Sequence, residues 1–400
     1  MDVAMFGNRK TGELVPIQGT DARLGPWTHV AFVPEPLGRM SGSLSTATHI
    51  RVGDARAALA ALDSTARHLP NPGLLRQPSL RREAQSTAAL EGTYEPLRDV
   101  LTADADHPAS PAMREVLNFV TTADQAFDWI GSGRRLSVSM LAELQRNLVA
   151  GTPTETSSSG QIRDTQVVIG HRRRTGADEF PVHAARFVPP PPGIELGARV
   201  GDLLSWLHTD HRRAIDPVVA AAMGHYQFET LHPFHDGNGR MGRLLIVLHL
   251  LVMGTLSEPT LTVSPWFEAR RTEYYDRLLA VSTTGDWDGW IGFFAEGLEA
   301  SATQTHQQML ALVAAQGEMK DVIRASNLRA DTAHHLVDYA IAHSTFTVRQ
   351  VQRDLAVSYG RANALAADLE RLGLLDSVEG SHPRRFFAPD VMRVLTAASP

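Results

Sequence analysis

The sequence predicts a mainly α-helical protein with little β structure, and three observations support this fold class. From Val52 onward, apolar residues recur at i, i+3 and i+4, the spacing of a helix that buries one face. The apolar segment 244–253 is too long for a strand and follows a polar, glycine-rich loop, so this loop is expected to open a helix. The clearest β-branched run that ends in glycine is the short segment 163–170, which predicts a hairpin.

Composition limits the size and class of the protein. Its 400 residues are 43% apolar and 20% charged, enough for two or three domains with proper cores. A net charge of −6 argues against a protein built to coat nucleic acid or an anionic membrane. The lack of cysteine excludes disulfides and thiolate metal sites and fits a reducing cytoplasm. The N-terminus lacks a signal-peptide core and segment 244–253 is shorter than the roughly 20 residues of a membrane span, so we expect a soluble cytoplasmic protein.

The N-terminal region is expected to be an arm followed by two helices. Residues 1–48 are rich in Gly, Pro and Thr and show little periodicity, so an irregular arm packed on the body is predicted. The helix from Val52 should end at Pro70-Asn-Pro-Gly73, and a second helix should begin after Pro78. The second helix closes on Glu91-Gly92, where a carboxylate faces the negative end of the helix dipole and gains from a cationic partner elsewhere.

Further helices lead to the glycine-rich loop. Four are expected, near Met113–Ile130, Ser137–Leu148, Leu196–His208 and Pro217–Glu229. The polar segment 151–160 is predicted to be a loop. The run Phe187–Gly193 contains four consecutive prolines, cannot be helix interior, and is predicted to be a rigid extended connector.

The loop 231–243 carries the strongest chemical signal. Asn238 lies between Gly237 and Gly239, so the backbone can adopt positive φ and point its N–H groups at a common anion. Asp236 offers a hard oxygen ligand to Mg²⁺, which proteins usually hold through one or two carboxylates plus substrate phosphates. The loop therefore predicts a site for a polyphosphate ligand with Mg²⁺.

Two arginines and a histidine complete this loop. A helix N-terminus disfavours cations unless an anion lies nearby, yet Arg240 and Arg243 occupy the predicted first turn. Their i,i+3 spacing places both guanidiniums on one face, where they can clamp neighbouring phosphates. His232, at the mouth of the loop, is the natural base. Each feature alone is common, but their combination predicts a phosphoryl- or nucleotidyl-transfer site.

The segment His232-Pro-Phe-His-Asp-Gly-Asn-Gly-Arg-Met-Gly-Arg243 resembles the signature of Fic (filamentation induced by cAMP) domains, with every fixed position filled. The resemblance implies a Fic-fold helical bundle that transfers AMP from ATP, with Mg²⁺, to a protein hydroxyl and releases pyrophosphate. By resemblance the roles are His232 as base, Asp236 as the Mg²⁺ ligand, Gly237, Asn238 and Gly239 as the anion hole, and Arg240 and Arg243 as ligands of the distal phosphates. Phe234 would anchor the loop in the core, and His235 receives no role.

Segment 86–92 resembles the inhibitory helix of many Fic proteins, with Thr87, Glu91 and Gly92 in the fixed positions. The resemblance implies that Glu91 pairs with Arg243 and prevents productive ATP binding. Without the signature downstream, the same segment would be interpreted as an ordinary helix that ends in Glu-Gly.

Segment 163–170 resembles the flap that Fic proteins place over the mouth of the active site, where backbone hydrogen bonds align the target by β-augmentation. The residues expected to do this are Val167, Val168, Ile169 and Gly170. The following His171-Arg-Arg-Arg174 is typical of a solvated turn, and it would also favour acidic targets.

Segment 264–279 resembles the helix that borders the adenine pocket of Fic proteins. Tyr275, beside Tyr274, is expected to contact the base, although aromatic pairs on a helix are also common core residues. An amphipathic helix to about Ala315 would complete the catalytic domain.

The C-terminal segment predicts a separate small domain. Residues 347–356, 358–373 and 383–387 give a helix, a turn, a capped helix and a hairpin, which resembles a winged helix-turn-helix. From Asp331 to Pro400 seven Lys/Arg stand against eight Asp/Glu, so dimerisation or another protein contact is favoured over DNA binding, which needs a basic face. DNA binding stays open because five arginines could gather on one side: Arg349, Arg353, Arg361, Arg384 and Arg385.

These features predict a Fic-type protein adenylyltransferase inhibited by its own N-terminal helix. Its expected parts are an arm with helices (1–110), the catalytic domain (111–318) and the winged helix (330–400). The target would be a Ser, Thr or Tyr hydroxyl on another protein or on the chain itself. Two alternatives stay open: the same fold with phosphoryl transfer or AMP removal, and a nucleotide-sensing regulator that binds DNA. Relatives that transfer a phosphoryl group depart from the Gly-Asn-Gly core, which this sequence keeps.

Overall fold

A computed structural model describes residues 1–7, 11–39, 43–68, 76–104, 107–171, 180–212, 214–328 and 331–397. Within these residues the protein is mainly helical and has three small antiparallel sheets, which confirms the predicted fold class. None of the described helices is both long enough and apolar enough to cross a membrane.

The described helices, in chain order, are α1 (Thr46–His68), α2 (Arg76–Glu91), α3 (Leu97–Thr102), α4 (Pro111–Gly131), α5 (Val138–Val149), α6 (Pro181–Ala184), α7 (Ile194–His208), α8 (Pro217–Leu231), α9 (Asn238–Val252), α10 (Ser264–Ala269), α11 (Arg271–Thr284), α12 (Trp287–Ala325), α13 (Asp331–Ala342), α14 (Val348–Asp354), α15 (Tyr359–Arg371) and α16 (Pro389–Thr396). The strands are β1 (Gly12–Asp21), β2 (Gly25–Pro34), β3 (Ile169–His171), β4 (Ala185–Phe187), β5 (Phe346–Thr347), β6 (Asp376–Ser377) and β7 (Arg385–Phe387).

The N-terminal segment forms a β-hairpin, and the prediction of an irregular arm was wrong. β1 pairs with β2 in register from Gly12 opposite Pro34 to Asp21 opposite Gly25. Exposed and less exposed residues alternate along much of β1, as in a strand with one covered face. Glycines and a proline within β1 hid this alternation in the sequence, since both residue types are uncommon in strands.

The hairpin packs beside the predicted flap. The ring centroids of Phe32 in β2 and Phe187 in β4 lie 5.8 Å apart, and the Phe32 N–H donates to the Val188 carbonyl at 2.9 Å. These residues belong to a small apolar cluster separate from the main core. The N-terminal hairpin and the flap strands are therefore one packed unit.

The main core is built around α8 and α9, which pack against each other. α8 is buried on nearly all sides, as expected of a helix that is apolar all round and lies inside a protein. Trp290 of α12 is fully buried and donates from Nε1 to the Ala222 carbonyl in α8 at 2.9 Å. α1 packs along α12 and covers it from outside. The loop between α8 and α9 is thus fixed at both ends by buried helices.

Most predicted helices are present with small shifts at their ends. α4 and α5 begin after Ser110 and Ser137, whose hydroxyls accept hydrogen bonds from backbone N–H groups of the first turn. α1 begins earlier than predicted, at Thr46, and the residues expected to end it, 70–73, lie outside the described part. α2 also begins earlier, so that Pro78 lies in its first turn, where proline removes no helical hydrogen bond.

Two predicted helix bounds were wrong. Segment 264–279 is divided, because Arg270 leaves helical geometry (φ −120°, ψ 29°) and separates α10 from α11. α12 continues past Ala315 to Ala325, because buried Met319 and Ile323 extend its apolar stripe. The proposed domain boundary at residue 318 therefore falls inside a continuous helix.

The flap has only a short described strand. β3 pairs with β4, with Ile169 opposite Phe187 and His171 opposite Ala185. Val167 and Val168 precede β3, so the strand begins later than the β-branched run suggested. Residues 172–174, predicted as a basic turn, lie outside the described part.

The C-terminal residues 331–397 contain the predicted helix, turn, capped helix and hairpin, with a sheet of strand order β5–β7–β6. Ser358 caps α15 by accepting from the Arg361 N–H. Assignment of this unit to the winged helices stays a prediction. The unit packs on the N-terminal helices: Arg82 of α2 donates to the Leu395 carbonyl at 3.3 Å, and Arg385 lies 3.0 Å from Asp104.

Candidate active site

The loop between α8 and α9 is held in an uncommon backbone conformation. His232 ends α8 in the left-handed region (φ 48°, ψ 59°), which few residues other than glycine adopt. Asn238, the first residue of α9, accepts from the Phe234 N–H at 2.9 Å and donates to the Phe234 carbonyl at 2.8 Å. Phe234 itself is fully buried. Phe234 anchors the loop as predicted, and the side chain of Asn238 closes the loop.

The glycines of the loop are required by its close contacts. Gly237 has φ +81°, and a Cβ on it would lie 2.9 Å from Cδ2 of Leu148. A Cβ on Gly239 would overlap Oε1 of Glu91. The carboxylate of Glu91 therefore lies directly against the N-terminus of α9, where the sequence places the anion hole.

His232 is arranged as a neutral base. Its Nδ1 lies 3.3 Å from the Glu229 carbonyl, which can only accept, so Nδ1 carries the hydrogen and Nε2 keeps a free lone pair. Burial lowers the pKa of His232 to about 4. The imidazole is therefore neutral near pH 7 and able to accept a proton.

Arg163 is a structural residue that the sequence did not single out. It is 1% exposed, donates from Nε to the His232 carbonyl at 2.8 Å, and its backbone N–H donates to the Pro233 carbonyl at 2.9 Å. Desolvation lowers the pKa of its guanidinium to about 10. Arg163 thus ties the base of the flap to the catalytic loop. A lone arginine before a polar run gives no sequence signal for this role.

Arg243 is enclosed by the helix that carries Thr87 and Glu91. It is 1% exposed; Nη2 lies 2.6 Å from Oε1 of Glu91, and Nε donates to Oγ1 of Thr87 at 2.7 Å. Nη2 also donates to the Thr87 carbonyl at 3.1 Å. Desolvation is the largest single effect and lowers the pKa of Arg243, but Glu91 and the other acidic groups around the guanidinium together raise this pKa above its ordinary value. The structure thus brings together Thr87, Glu91 and Arg243, which lie far apart in the sequence.

Gly92 follows Glu91 with φ +99°, and its N–H donates to the Ala89 carbonyl at 3.0 Å. The positive φ favours glycine and ends α2 directly after Glu91. The helix therefore presents Glu91 at its last residue, next to the start of α9.

Arg240 and Asp236 form an ion pair within the loop. Nη2 of Arg240 lies 2.7 Å from Oδ2 of Asp236, which also accepts from the Thr154 hydroxyl at 2.9 Å. The Asp236 side chain is 38% exposed and the Arg240 side chain 4% exposed. Among the described residues no cluster of three or more His, Asp or Glu could hold a metal. One accessible carboxylate beside two arginines fits Mg²⁺ that arrives with a polyphosphate.

The two tyrosines of α11 have different environments. Tyr274 is fully buried, and its hydroxyl lies 2.7 Å from Nε2 of His225, so it is a core residue. Tyr275 is partly buried, and its hydroxyl donates to the Leu90 carbonyl at 3.3 Å, one residue before Glu91. Tyr275 thus lies near the segment that carries Thr87 and Glu91, and its contact with a base stays a prediction.

Glu229 is a second carboxylate near Arg243 that the sequence did not reveal. Its Oε1 is buried against Gly242 and has no hydrogen-bond partner among the described residues. Desolvation raises the pKa of Glu229 to about 8, although Arg243 acts in the opposite direction. Glu229 is therefore largely protonated near pH 7 while Glu91 neutralises Arg243.

The flap approaches the loop from the other side. His235 Nε2 lies 3.3 Å from Oδ1 of Asp164, and Arg163 holds the loop carbonyls described above. Gly170 has φ +62° and lies between the paired residues Ile169 and His171. The strand β3 is thus connected to the loop that carries His232 through two adjacent residues, Arg163 and Asp164.

Models of known sequence families match the part of the chain that forms this site. A model of the Fic/DOC family N-terminal region matches residues 49–128, and a model of the Fic/DOC family matches residues 135–250, which contain the loop and its base. The two matched segments are similar to the Fic/DOC family. The expected resemblance to Fic domains is confirmed, and the matches extend from α1 to α9.

Named relatives share this Fic region. The protein adenylyltransferase fic-1 of Caenorhabditis briggsae is 32% identical over 167 residues, which are 42% of this chain and 28% of the relative. The protein adenylyltransferase Fic of Aedes aegypti is 35% identical over 135 residues, 33% of this chain and 26% of the relative. The chain thus spans about a quarter of the length of the curated relatives that it matches.

A solved structure supports the fold over a longer part of the chain. The crystal structure of a Fic family protein from Desulfovibrio desulfuricans aligns with a TM-score of 0.52 at 20% identity, covering 87% of this chain and 97% of the other. At this identity the similarity establishes the Fic fold and leaves the chemistry to the residues of the site.

Proposed function

We propose that this protein transfers AMP from ATP to a hydroxyl side chain of a target protein, and that Glu91 holds it inactive. One observation carries the proposal: a neutral histidine, an accessible carboxylate and two buried arginines surround the N-terminus of α9. A helix N-terminus with nearby guanidiniums is suited to a polyphosphate, and a neutral base beside it suits attack by a hydroxyl. The relatives named adenylyltransferases support the same activity.

The proposed chemistry is an in-line displacement at phosphorus. Nε2 of His232 takes the proton from the target hydroxyl as the hydroxyl oxygen bonds to the α-phosphorus of ATP. The bond from the α-phosphorus to the bridging oxygen breaks, and pyrophosphate leaves with the electron pair. Arg240 and Arg243 bind the distal phosphates, and the backbone from Gly237 to Gly239 faces the developing charge.

Asp236 would hold Mg²⁺ in this reaction. The metal would supply charge neutralisation at the phosphate oxygens when bound. For Asp236 to serve, its carboxylate must leave its ion pair with Arg240, which would then be free to bind phosphate.

The flap would present the target segment. The strand β3 pairs with β4, and Arg163 and Asp164 connect its base to the catalytic loop. An extended target segment added beside Ile169 and Gly170 by backbone hydrogen bonds would bring a Ser, Thr or Tyr hydroxyl toward His232.

In this proposal, Glu91 inhibits AMP transfer because its carboxylate occupies the position of an ATP phosphate. Its carboxylate contacts the α9 N-terminus and pairs with Arg243, so an ATP phosphate that needs the same guanidinium must displace it. We assign Thr87 a supporting role, because its hydroxyl and carbonyl both accept from Arg243. We propose a cytoplasmic location, which the lack of cysteine fits.

Ion pairs within the protein weaken the case for DNA binding, because they engage three of the five arginines considered for it. Arg353 pairs with Asp354 at 2.6 Å, Arg384 with Glu370 at 2.5 Å and Arg385 with Asp104 at 3.0 Å. Charges neutralised within the protein offer little to a phosphate backbone. We therefore propose a protein contact, a second copy included, for this unit.

Labelled ATP tests the activity and separates it from phosphoryl transfer. The protein is incubated with α-labelled and γ-labelled ATP in parallel, with a His232→Ala variant as control. AMP transfer predicts protein-bound label from the α position alone, and none in the variant. Label from the γ position would instead establish phosphoryl transfer.

A further inference from the structure

Arg240 is held between two carboxylates from different elements. Nη2 lies 2.7 Å from Asp236 in the loop, and Nη1 lies 3.6 Å from Oε2 of Glu115 in α4. The Glu115 side chain is 17% exposed, and the Arg240 side chain is 4% exposed. A guanidinium this deeply buried needs a nearby anion, and the structure gives it two.

Two donors of Arg240 have no acceptor. Neither Nε nor Nη1 makes a hydrogen bond within the described part of the chain, although both atoms are buried. A buried donor without a partner is costly, and such groups often mark a functional site. A phosphate oxygen that reaches this guanidinium would give such a donor the acceptor it lacks.

Asp236 and Glu115 differ in the other interactions that each one makes. Under the proposed function Asp236 turns to Mg²⁺, which deprives Arg240 of its closest anion. Glu115 stays in place, because it belongs to the long helix α4 and its Oε2 also accepts from the Thr93 hydroxyl at 2.9 Å. Thr93 follows Glu91 by two residues, so the same carboxylate also contacts the segment that ends α2.

We propose that Glu115 is a positioning residue that keeps Arg240 aimed at the nucleotide phosphates once Asp236 has turned to the metal. This inference rests on the proposed function. Its distinguishing consequence is that Glu115 matters for nucleotide binding when Mg²⁺ is present. Without Mg²⁺, Asp236 keeps its pair with Arg240, and removal of the Glu115 charge does not weaken the binding of an anion.

The test measures ATP affinity by calorimetry, with Mg²⁺ and with EDTA. The parent is a Glu91→Gly/His232→Ala chain, which opens the site and cannot turn over. Glu115→Gln removes the charge, Thr93→Val removes only the hydroxyl, and Asp128→Asn is a matched control because Asp128 also lies on α4 but pairs with Arg76 at 2.9 Å.

We expect Glu115→Gln to weaken ATP binding at least about threefold with Mg²⁺, the size of a partly screened ion pair, and not to weaken it in EDTA. Asp128→Asn should match the parent in both conditions. Thr93→Val removes one of the contacts that hold Glu115 and should weaken ATP binding less than Glu115→Gln does, and only with Mg²⁺. Equal weakening in both conditions would show a merely structural role, and no change with Mg²⁺ would also overturn the inference. A parent that fails to bind ATP at all would instead refute the proposed function, and this inference with it.

Discussion

The carboxylate of Glu91 lies 2.6 Å from Nη2 of Arg243, across 152 positions of sequence, and contacts the backbone of Gly239 at the start of α9. Each charge is poorly placed in its own helix: Glu91 ends α2, and Arg243 lies near the N-terminus of α9. Together they neutralise each other. Under the proposed function, this pair fills the position that a nucleotide phosphate needs.

Thr87→Val tests the supporting contact of the inhibitory helix. The substitution removes the hydroxyl that accepts from Nε of Arg243 at 2.7 Å and keeps a similar volume. Hydrogen bonds to charged groups contribute about 1.5–3 kcal/mol, and only part of this is released because Glu91 still holds Arg243, so self-labelling with α-labelled ATP should rise several-fold. Ser86→Ala, which removes a neighbouring hydroxyl whose partner is Gln85, should leave the rate unchanged. A Thr87→Val rate equal to that of Ser86→Ala would argue against this role.

The pH dependence of transfer should reflect the base. Because burial lowers the pKa of His232 to about 4, the ring is deprotonated and active throughout the range from about pH 6 to 8. Protonation, and with it loss of activity, should appear only as the pH falls toward that value. Initial labelling rates of a Glu91→Gly chain across this range test the point. A rate that halves near the ordinary histidine pKa of about 6.5 would show that His232 is not shielded as the structure indicates.

Asp236→Ala should remove most activity and raise the Mg²⁺ concentration needed for the remainder. Asp236 is the only acidic residue within segment 232–243, so the metal has no other carboxylate there. Asp164→Ala, in the neighbouring flap stem, is the matched control and should keep the wild-type Mg²⁺ requirement. Metal-independent turnover by the wild type would refute this assignment.

Glu229→Gln should change how stability depends on pH. An unfolded chain loses the Glu229 proton near pH 4.5, whereas the folded protein keeps it until about pH 8. In this window the folded state binds more protons, so this group lowers wild-type stability as the pH rises, by up to about 1.4 kcal/mol per pH unit. Glutamine cannot ionise, so the Tm of Glu229→Gln minus the Tm of the wild type should increase from pH 5 to pH 8. A constant difference in Tm would show that Glu229 is already ionised in the fold.

Much of this site could be predicted because its residues are contiguous. The loop 232–243 contains the proposed base, the carboxylate of Asp236 and both arginines. The apolar run after Arg243 indicated that a helix follows the loop. The ion pair between Glu91 and Arg243 could also be predicted, because each charge is unfavourably placed in the dipole of its own helix.

Residues that act through tertiary contacts could not be predicted in this way. Arg163 and Glu115 meet the loop only after folding, and their sequence neighbourhoods are ordinary. Glu229 belongs to a mostly apolar helix, in which a glutamate is normally expected to face solvent. The N-terminal hairpin was missed because glycines and a proline interrupt the alternation along β1, and because the residues that cover it, in β4 and after it, are distant in sequence.

The most direct measurement compares self-labelling by α-labelled ATP in the wild type and in Glu91→Gly, with ATP and Mg²⁺ saturating. Removal of the carboxylate frees Arg243 for the nucleotide, and release of even about 1.4 kcal/mol of inhibitory interaction corresponds to a tenfold rate. We predict an increase of at least about tenfold that disappears when His232→Ala is added. If Glu91→Gly labels no faster than the wild type, the helix that carries Thr87 and Glu91 is only a scaffold, and the account of an adenylyltransferase held inactive by its own glutamate is wrong.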